Sequence, residues 1–388
     1  MNSKVVITGM GIVSRLGENF PEVIANLNED RGNQSLSGGA VYEDFDHVKH
    51  LGKKNTRNLN RCTKMMLAAG KLALEDAGIA IHPEYEEDIG VILASNYGVD
   101  ANLREMERIL CADGVVGINP GTSYYASING VTSQMSVRMK AKAFNITMPS
   151  GWSSGIDAVS FAKNLITTGS AGAVMVCGAE EAPKELIDDF NRQGLLAEDS
   201  AASRPFRSES QGMILGDGAA VIILEGLERA LSRNANIFAE VGECGLTYYH
   251  EPGAMPAKYI KEALEKLIKR SGANPKDIDL IMSSANGSVL DIAELRAYSE
   301  LFNGDVSVFN VKSFFGECFG FTSILQVAFG AYLLRRNDIK RGASLTSIES
   351  GSFDLYEERF DRPFSNALIN SVGLDGNACA LLLKPFKS

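Results

Sequence analysis

The sequence predicts an α/β fold made of two similar halves. Three observations carry that prediction. Short apolar runs alternate with stretches of helical periodicity. The 38 glycines among 388 residues suit many tight strand–helix turns. Three local patterns also recur in the same order along the chain.

Lys4–Thr8, Ile89–Ala94, Ala173–Cys177 and Ala220–Leu224 are short apolar or β-branched runs, which predict buried strands. Arg61–Ala77, Asp157–Thr167, Ala257–Ser271 and Ile324–Arg335 space their apolar residues as helices do. Between Pro183 and Ser203 neither pattern holds, and a long excursion is expected there.

The repeats follow. FNITMPSGWSSG (Phe144–Gly155) matches FNVKSFFGECFG (Phe309–Gly320): both read Phe-Asn-Ile/Val, four residues, Gly, three residues, Gly. GAVMVCGAE (Gly172–Glu180) matches GASLTSIES (Gly342–Ser350) more loosely. DGAAVIIL (Asp217–Leu224) matches DGNACALL (Asp375–Leu382). Any one pair is within the reach of chance among Gly-rich strands, but three in order argue for duplication. The halves are placed at 1–235 and 236–388.

A net charge of −10 argues against nucleic acid or an anionic membrane as the main partner. No stretch approaches the ~20 apolar residues of a membrane span. The opening MNSKVVITGMGIVSRLG does not read as a signal peptide, because its apolar run is broken by Gly9 and Gly11 and followed by Arg15. Six Cys lack metal spacing, and His47, His50, His82 and His250 form no paired motif. The expectation is a cytoplasmic protein with reduced thiols, no metal and no cofactor. Gly9-Met10-Gly11 imitates part of a dinucleotide fingerprint with Glu29 and Asp30 downstream, but Ser14 stands where the third glycine belongs.

Three segments carry a family resemblance: the opening VVITGMGIVSRLG, RPFRSESQGMILGDGAAVIILEGLERALSR (Arg204–Arg233) and NSVGLDGNACALLLK (Asn370–Lys384). The last is similar to an Asn-Ser-x-Gly-x-x-Gly-x-Asn loop and strand. Along its whole length the chain resembles the β-ketoacyl synthases. That resemblance implies the thiolase-like fold, with duplicated halves forming a five-layered αβαβα sandwich, and an obligate dimer.

Active members use a Cys at a strand-to-helix turn, where the helix N-terminus favours the thiolate and backbone donors serve an oxyanion. Two His assist decarboxylation of the malonyl unit. The resemblance places Trp152 at the Cys, in PSGWSSGIDAV. It places Asn286 at the first His, in Asn286-Gly287-Ser288, and Glu317 at the second, in VKSFFGECFG. No catalytic residue is therefore assigned. The internal repeat puts Trp152 and Glu317 at equivalent places, each directly after a matched glycine, Gly151 or Gly316.

Trp152 has two readings, a plug in the acyl space or an ordinary core aromatic. Glu317 reads as structural, either beside a helix N-terminus or paired with Lys312. Cys318 is the nearest thiol in sequence, expected to point away from its neighbour. Ser150, Ser153 and Ser154 flank Trp152 without an evident general base. Cys62, Cys177, Cys244 and Cys379 read as small core residues.

Relatives with this lesion are chain-length factors, the inert partners of active ketosynthases in type II polyketide synthesis. The resemblance implies pairing with such a ketosynthase and contact with an acyl carrier protein bearing malonyl or polyketide chains. Many such factors carry Gln at the lost Cys, so Trp152 departs from the best-known aromatic systems, and an aryl-polyene pathway fits too. Asn96–Leu110 lies where the family has its chain-gating helix, with Leu103, Met106 and Leu110 on one face. Ser123–Val137, carrying Tyr124, Tyr125 and Met135, resembles the interface segment. These six are the tunnel candidates, with core packing the competing reading. Lys49, Lys53, Lys54, Arg57, Arg61 and Lys64 form a basic stretch without an acidic residue. Lys53, Lys54, Arg57 and Arg61 are its candidates for carrier docking, against a plain solvated face. The rival functions are a stand-alone decarboxylase or acyltransferase with another nucleophile, and a regulatory pseudo-ketosynthase.

Overall fold

A computed structural model describes residues 4–29, 40–80, 83–199, 203, 205–251, 255–302, 306–336, 338–339, 342–351, 360 and 362–387. Its strands are β1 (Val5–Val13), β2 (Ile89–Ala94), β3 (Asn145–Met148), β4 (Ala173–Glu180), β5 (Gly218–Gly226) and β6 (Ala239–Tyr248). They continue with β7 (Leu280–Met282), β8 (Ser307–Phe309), β9 (Ala343–Ser344), β10 (Ala367–Val372) and β11 (Asn377–Pro385). The helices that frame the site are α1 (Arg61–Ala77), α2 (Asp100–Asp113), α3 (Ile128–Met139), α4 (Ser154–Thr167) and α5 (Lys184–Arg192). Later in the chain come α6 (Ala257–Ser271), α7 (Leu290–Leu301) and α8 (Phe319–Arg335).

The strand order is β3-β2-β4-β5-β1-β6-β11-β10-β7-β8-β9. Read outward from the β1–β6 contact, the two sides match. On one side β5 and β4 are antiparallel additions and β2 and β3 parallel ones; β11, β10, β7 and β8 repeat that pattern. The sides join through only two residue pairs, Val6–Glu240 and Ile7–Ala239. The sheet folds at this seam around α4 and α8, which contact strands of both sides. Helices α1 and α3 cover one outer face, and α6 with α7 covers the other. That is the five-layered αβαβα sandwich of the thiolase-like fold.

Side-chain alternation fills these layers. On β2, Ile92 and Ala94 enter the central core while Val91 and Leu93 enter the outer one. On β10 and β11, Ile369 and Leu381 point to the centre while Leu368 and Leu382 point out. Helix α8 is buried from Phe319 to Leu334 on every side, as a central layer requires. Glycines allow the closest approaches. A methyl group on Gly11 would lie 2.0 Å from the carbonyl oxygen of Ala69, so α1 rests directly on the β1 backbone.

Two expectations need correction. GASLTSIES is not the counterpart of β4. Its β9 is a two-residue edge strand antiparallel to β8, and Ser344 then caps a short helix through the amide of Ser347. Its Ser and Thr hydroxyls favour capping over a buried strand. The true counterpart of β4 is β10. The expected excursion at Pro183–Ser203 contains α5, whose Leu186 and Phe190 are buried and Ile187 partly buried while its other side chains are polar. Three apolar residues within a single turn were too short a stripe to stand out.

Gly11→Val should lower unfolding stability by about 3 kcal/mol through forced displacement of α1. A shift in the urea midpoint measures it, and an unchanged midpoint would contradict the close contact.

Candidate functional site

Two turns converge where the central helices begin. One leads from β3 through Gly151 into α4, the other from β8 through Gly316 into α8. Gly151 has φ of +88° and Gly316 of +73°, a left-handed backbone that favours glycine. Trp152 and Glu317 follow directly, so the repeat read in the sequence reappears as two equivalent corners.

Trp152 is 8% exposed. Its indole belongs to one buried cluster with Ala182, Leu186, Phe190, Met213, Leu215 and Phe319. The Phe319 ring meets it edge-on at 5.2 Å, and Phe319 in turn contacts Phe190 at 5.7 Å and Tyr97 at 4.7 Å. Helix α5 thus lies over the tryptophan. The Arg104 guanidinium of α2 bonds Asp189 of α5 at 2.6 Å and Asp100 at 2.5 Å, tying α2 to that cover.

Glu317 is 1% exposed and its side chain joins four neighbours, Thr322 Oγ1 donating to Oε1 at 3.5 Å among them. The Lys312 ammonium lies 2.6 Å from Oε2, the Asn286 amide donates to the same oxygen at 2.8 Å, and the Phe319 amide donates to Oε1 at 2.9 Å. Both structural readings of Glu317 hold: it pairs with Lys312 and sits at the N-terminus of α8. Lys312 also donates to Ser284 Oγ at 3.1 Å. Phe319 has φ of +45°, an unfavourable backbone for an aromatic residue, and its amide bond to Glu317 helps to hold it.

Asn286 is anchored from behind. Asp291 accepts the amides of Asn286, Gly287 and Phe206 at 2.9–3.0 Å. Burial pushes the Asp291 carboxyl up to about 7, against the pull of these donors. On the other flank Glu180 accepts the amides of Asn96 and Tyr97 at 2.7 and 2.8 Å, and burial pushes it up to about 8. Asn96 then brackets Gly151, accepting its N–H at 3.0 Å and donating to its carbonyl at 2.9 Å.

Cys318 is fully buried, its thiol directed to the Phe315 carbonyl at 3.3 Å, and burial holds it well above the ordinary thiol range. Cys62, Cys177 and Cys379 are buried in α1, β4 and β11, and Cys244 is partly buried in β6. Among the described residues no group of three or more His, Cys, Asp or Glu is arranged for a metal ion. His82 and Arg204 lie outside the described residues. No helix among the described residues is long and apolar enough to cross a membrane.

The tunnel candidates divide. Leu103 and Leu110 are exposed on α2, Met106 is half-buried between them, and Tyr124 is 50% exposed. Tyr125 stacks edge-on against Tyr124 and packs on the outer core beside α1. Met135 is a correction. It is wholly buried, its terminal methyl set in the space above Gly70 of α1, as core packing requires. Arg61 is a second correction. Its guanidinium is taken by the buried Asp217 carboxylate and the Tyr42 carbonyl, which leaves its charge paired inside the chain although the side chain is partly exposed. Lys53, Lys54 and Arg57 are exposed.

Sequence reading missed Phe319, Met213 and Asp375 as neighbours of Trp152. Met213 and Phe319 carried no signal beyond their hydrophobicity. Asp375 sits at an unconstrained position of the Asn-Ser-x-Gly-x-x-Gly-x-Asn pattern; the repeat paired it with Asp217, but that pairing did not point to Trp152.

The fold and the two corners define a ketosynthase-like protein. A profile described as Beta-ketoacyl synthase, N-terminal domain, matches residues 31–230, and its C-terminal domain counterpart matches 238–345. The chain belongs to the β-ketoacyl synthase family. It is similar to 3-oxoacyl-[acyl-carrier-protein] synthase 2 of Staphylococcus aureus (strain COL), 26% identical over 412 aligned residues, covering 100% of this chain and 99% of that one. The enzyme of the same name from Vibrio cholerae serotype O1 is also 26% identical, over 408 residues, covering 98% of this chain and 99% of that one. Among solved structures, the ishigamide ketosynthase/chain length factor superimposes with a TM-score of 0.87 at 21% identity, covering 99% of this chain and 100% of the other. A type II PKS acyl-carrier protein in complex with its ketosynthase bound to the hexaketide gives 0.81 at 20%, covering 99% and 100%. At these identities the structural likeness establishes the fold.

Two predictions follow from the site's packing and charges. Trp152 is the only tryptophan of the chain, so emission reports on this site alone. It should be blue-shifted and weakly quenched by acrylamide; red-shifted, readily quenched emission would contradict its burial. Lys312→Met should cost roughly 3–5 kcal/mol by leaving a buried carboxylate without its cation. Lys312→Met combined with Glu317→Leu should recover about half of that in urea unfolding, because the uncompensated charge is gone. Additive losses would show that the two do not act as a pair.

Proposed function

We propose that this chain is a non-catalytic chain-length factor, the inert subunit of a ketosynthase pair in type II polyketide synthesis. One observation carries the reading. Where active members hold a Cys and two His, this chain holds a packed indole and a buried Lys312–Glu317–Asn286 unit. An indole N–H is a donor only and no nucleophile. A carboxylate already paired with an ammonium and an amide is a poor substitute for imidazole. The sequence relatives are named as synthases, so the reading rests on these residues rather than on kinship.

The surface beside the site supports a partner subunit. Leu103, Leu110, Val115, Val116, Tyr124 and Val137 are large apolar residues exposed on α2, α3 and the segment between them. Exposed apolar residues grouped in this way mark an interaction surface. Helix α2 is also tied through Arg104 and Asp189 to the cover of Trp152. On this reading the partner supplies the nucleophile, the chain grows along the shared surface, and α2 with Trp152 closes its end. Lys53, Lys54 and Arg57 would face an acidic carrier protein through salt-sensitive attraction. Whether the product is an aromatic polyketide or an aryl polyene is set by the partner and the depth of that closure.

The test is co-expression with a ketosynthase that retains Cys and both His, encoded by an adjacent gene. The two should co-purify as a heterodimer, and Leu103→Ala or Met106→Ala should lengthen the products by opening the end of the channel. A homodimer that acylates itself from malonyl-carrier would overturn the reading, and so would unchanged product lengths in both variants.

A further inference from the structure

We propose that Asp375 is a built-in occupant of the oxyanion position at the lost nucleophile turn, so this corner is closed by two changes, Trp152 and Asp375, beside those at Asn286 and Glu317. The inference rests on reading Trp152 as the former nucleophile position. The backbone N–H of Trp152 donates to Asp375 Oδ2 at 2.8 Å. In active members a donor at this corner serves the oxygen of the reacting acyl group. Here it serves a carboxylate of the chain itself.

The arrangement is built from several sides. Asn377 donates through its amide to Asp375 Oδ1 at 3.1 Å and through its side chain to Oδ2 at 3.2 Å. The same side-chain nitrogen reaches the Ser150 carbonyl at 3.2 Å, which links the loop to the turn. The loop closes on itself through Gly373 N–H to Asn377 O at 3.0 Å and Gly376 N–H to Gly373 O at 3.1 Å. A methyl group on Gly151 would lie 1.7 Å from Asp375 Oδ2, so the carboxylate fills the space beside the turn glycine. In sequence the loop reads Asn-Ser-Val-Gly-Leu-Asp-Gly-Asn, one residue shorter than the family pattern between its last Gly and Asn.

The other polar groups of the corner are also used. The Trp152 carbonyl accepts from Ser323 Oγ at 2.9 Å and Ser371 Oγ at 3.3 Å, and Asn96 holds both backbone groups of Gly151. A fixed negative charge at the start of α4 is favoured by the helix dipole. It also repels a second negative charge, whether a thiolate at position 152 or an oxyanion. Asp375 is thus a positioning residue that acts through the backbone of residue 152. A restored cysteine alone would not restore the chemistry.

The test compares the full-length variants Trp152→Cys and Trp152→Cys/Asp375→Asn. Iodoacetamide labelling of residue 152 is followed by peptide mass spectrometry as a function of pH. The charged groups around the turn are Asp375, Asp157 bonded to Ser150 Oγ at 2.7 Å, Glu180 behind Asn96, and the Lys312–Glu317 pair of the second corner, all unchanged between the two variants except Asp375. Removing the Asp375 charge should lower the labelling midpoint by roughly one pH unit, about a tenfold faster reaction at neutral pH. Identical midpoints and rates would overturn the proposal. Asp375→Gly in the chain that keeps Trp152 guards against a cysteine variant that does not fold. Amide hydrogen exchange at Trp152 should speed up about tenfold there, and unchanged exchange would also overturn it. Failure of the chain-length reading shows instead in partner co-purification and product length, which these readouts do not touch.

Discussion

The whole site hangs on a close approach of backbone to backbone at the centre of the molecule. Gly155 at the start of α4, Gly320 at the start of α8 and Gly178 in β4 meet there. A methyl on Gly155 would lie 2.5 Å from Ser323 Cβ, one on Gly178 2.6 Å from the Gly320 oxygen, and one on Gly320 2.6 Å from the Ala94 oxygen. No larger residue fits at these points without displacing a helix. Because the central helices start side by side, the turns before them are neighbours. Trp152 and Glu317, 165 positions apart in sequence (317 − 152), therefore belong to one site.

That constraint explains which part of the sequence stayed readable. The glycines of the two corners serve the fold, and their spacing survives although the residues after them differ. The α/β class and the duplication were legible for this reason. Helices α1 and α6 and strand β2 were bounded correctly because apolar spacing runs to their ends. Helices α4 and α8 begin earlier than their periodicity suggests, since Ser154, Gly155, Phe319 and Gly320 are chosen for close approach rather than for an apolar stripe. Met135 and Arg61 illustrate the opposite limit. Each sits on a helix whose neighbours are right, but a sequence does not reveal that Gly70 opposite one and Asp217 opposite the other take up the side chain.

On the proposed reading, the corner is self-satisfied rather than reactive. The polar groups of the corner have internal partners: Glu317 with Lys312 and Asn286, the Gly151 backbone with Asn96, the Trp152 amide with Asp375. Buried polar groups demand such partners, since each left unpaired costs on the order of 1–3 kcal/mol. Losing imidazole and thiol would otherwise leave a wet, polar hollow between packed layers. The indole removes the hollow by filling it, and the Lys–Glu pair removes the unpaired charge. The substitutions are therefore coupled through packing and electrostatics, and they read as one change of state rather than as separate losses.

On the proposed role, this coupling explains why an inert subunit keeps so much of an enzyme's architecture. A chain-length factor needs a rigid wall, not a reactive one. The wall is Trp152 with Phe319, Phe190 and Tyr97 behind it, and its rigidity comes from the aromatic contacts and from the strained, amide-anchored Phe319. Movement of α2 is resisted by Arg104 through Asp189, so a change at the exposed face of α2 is transmitted to the cover of the indole. A channel that ended in loose side chains would release products of mixed length. One that ends in an edge-packed aromatic cluster, fixed at its base by buried hydrogen bonds, gives a growing chain a single depth at which to stop.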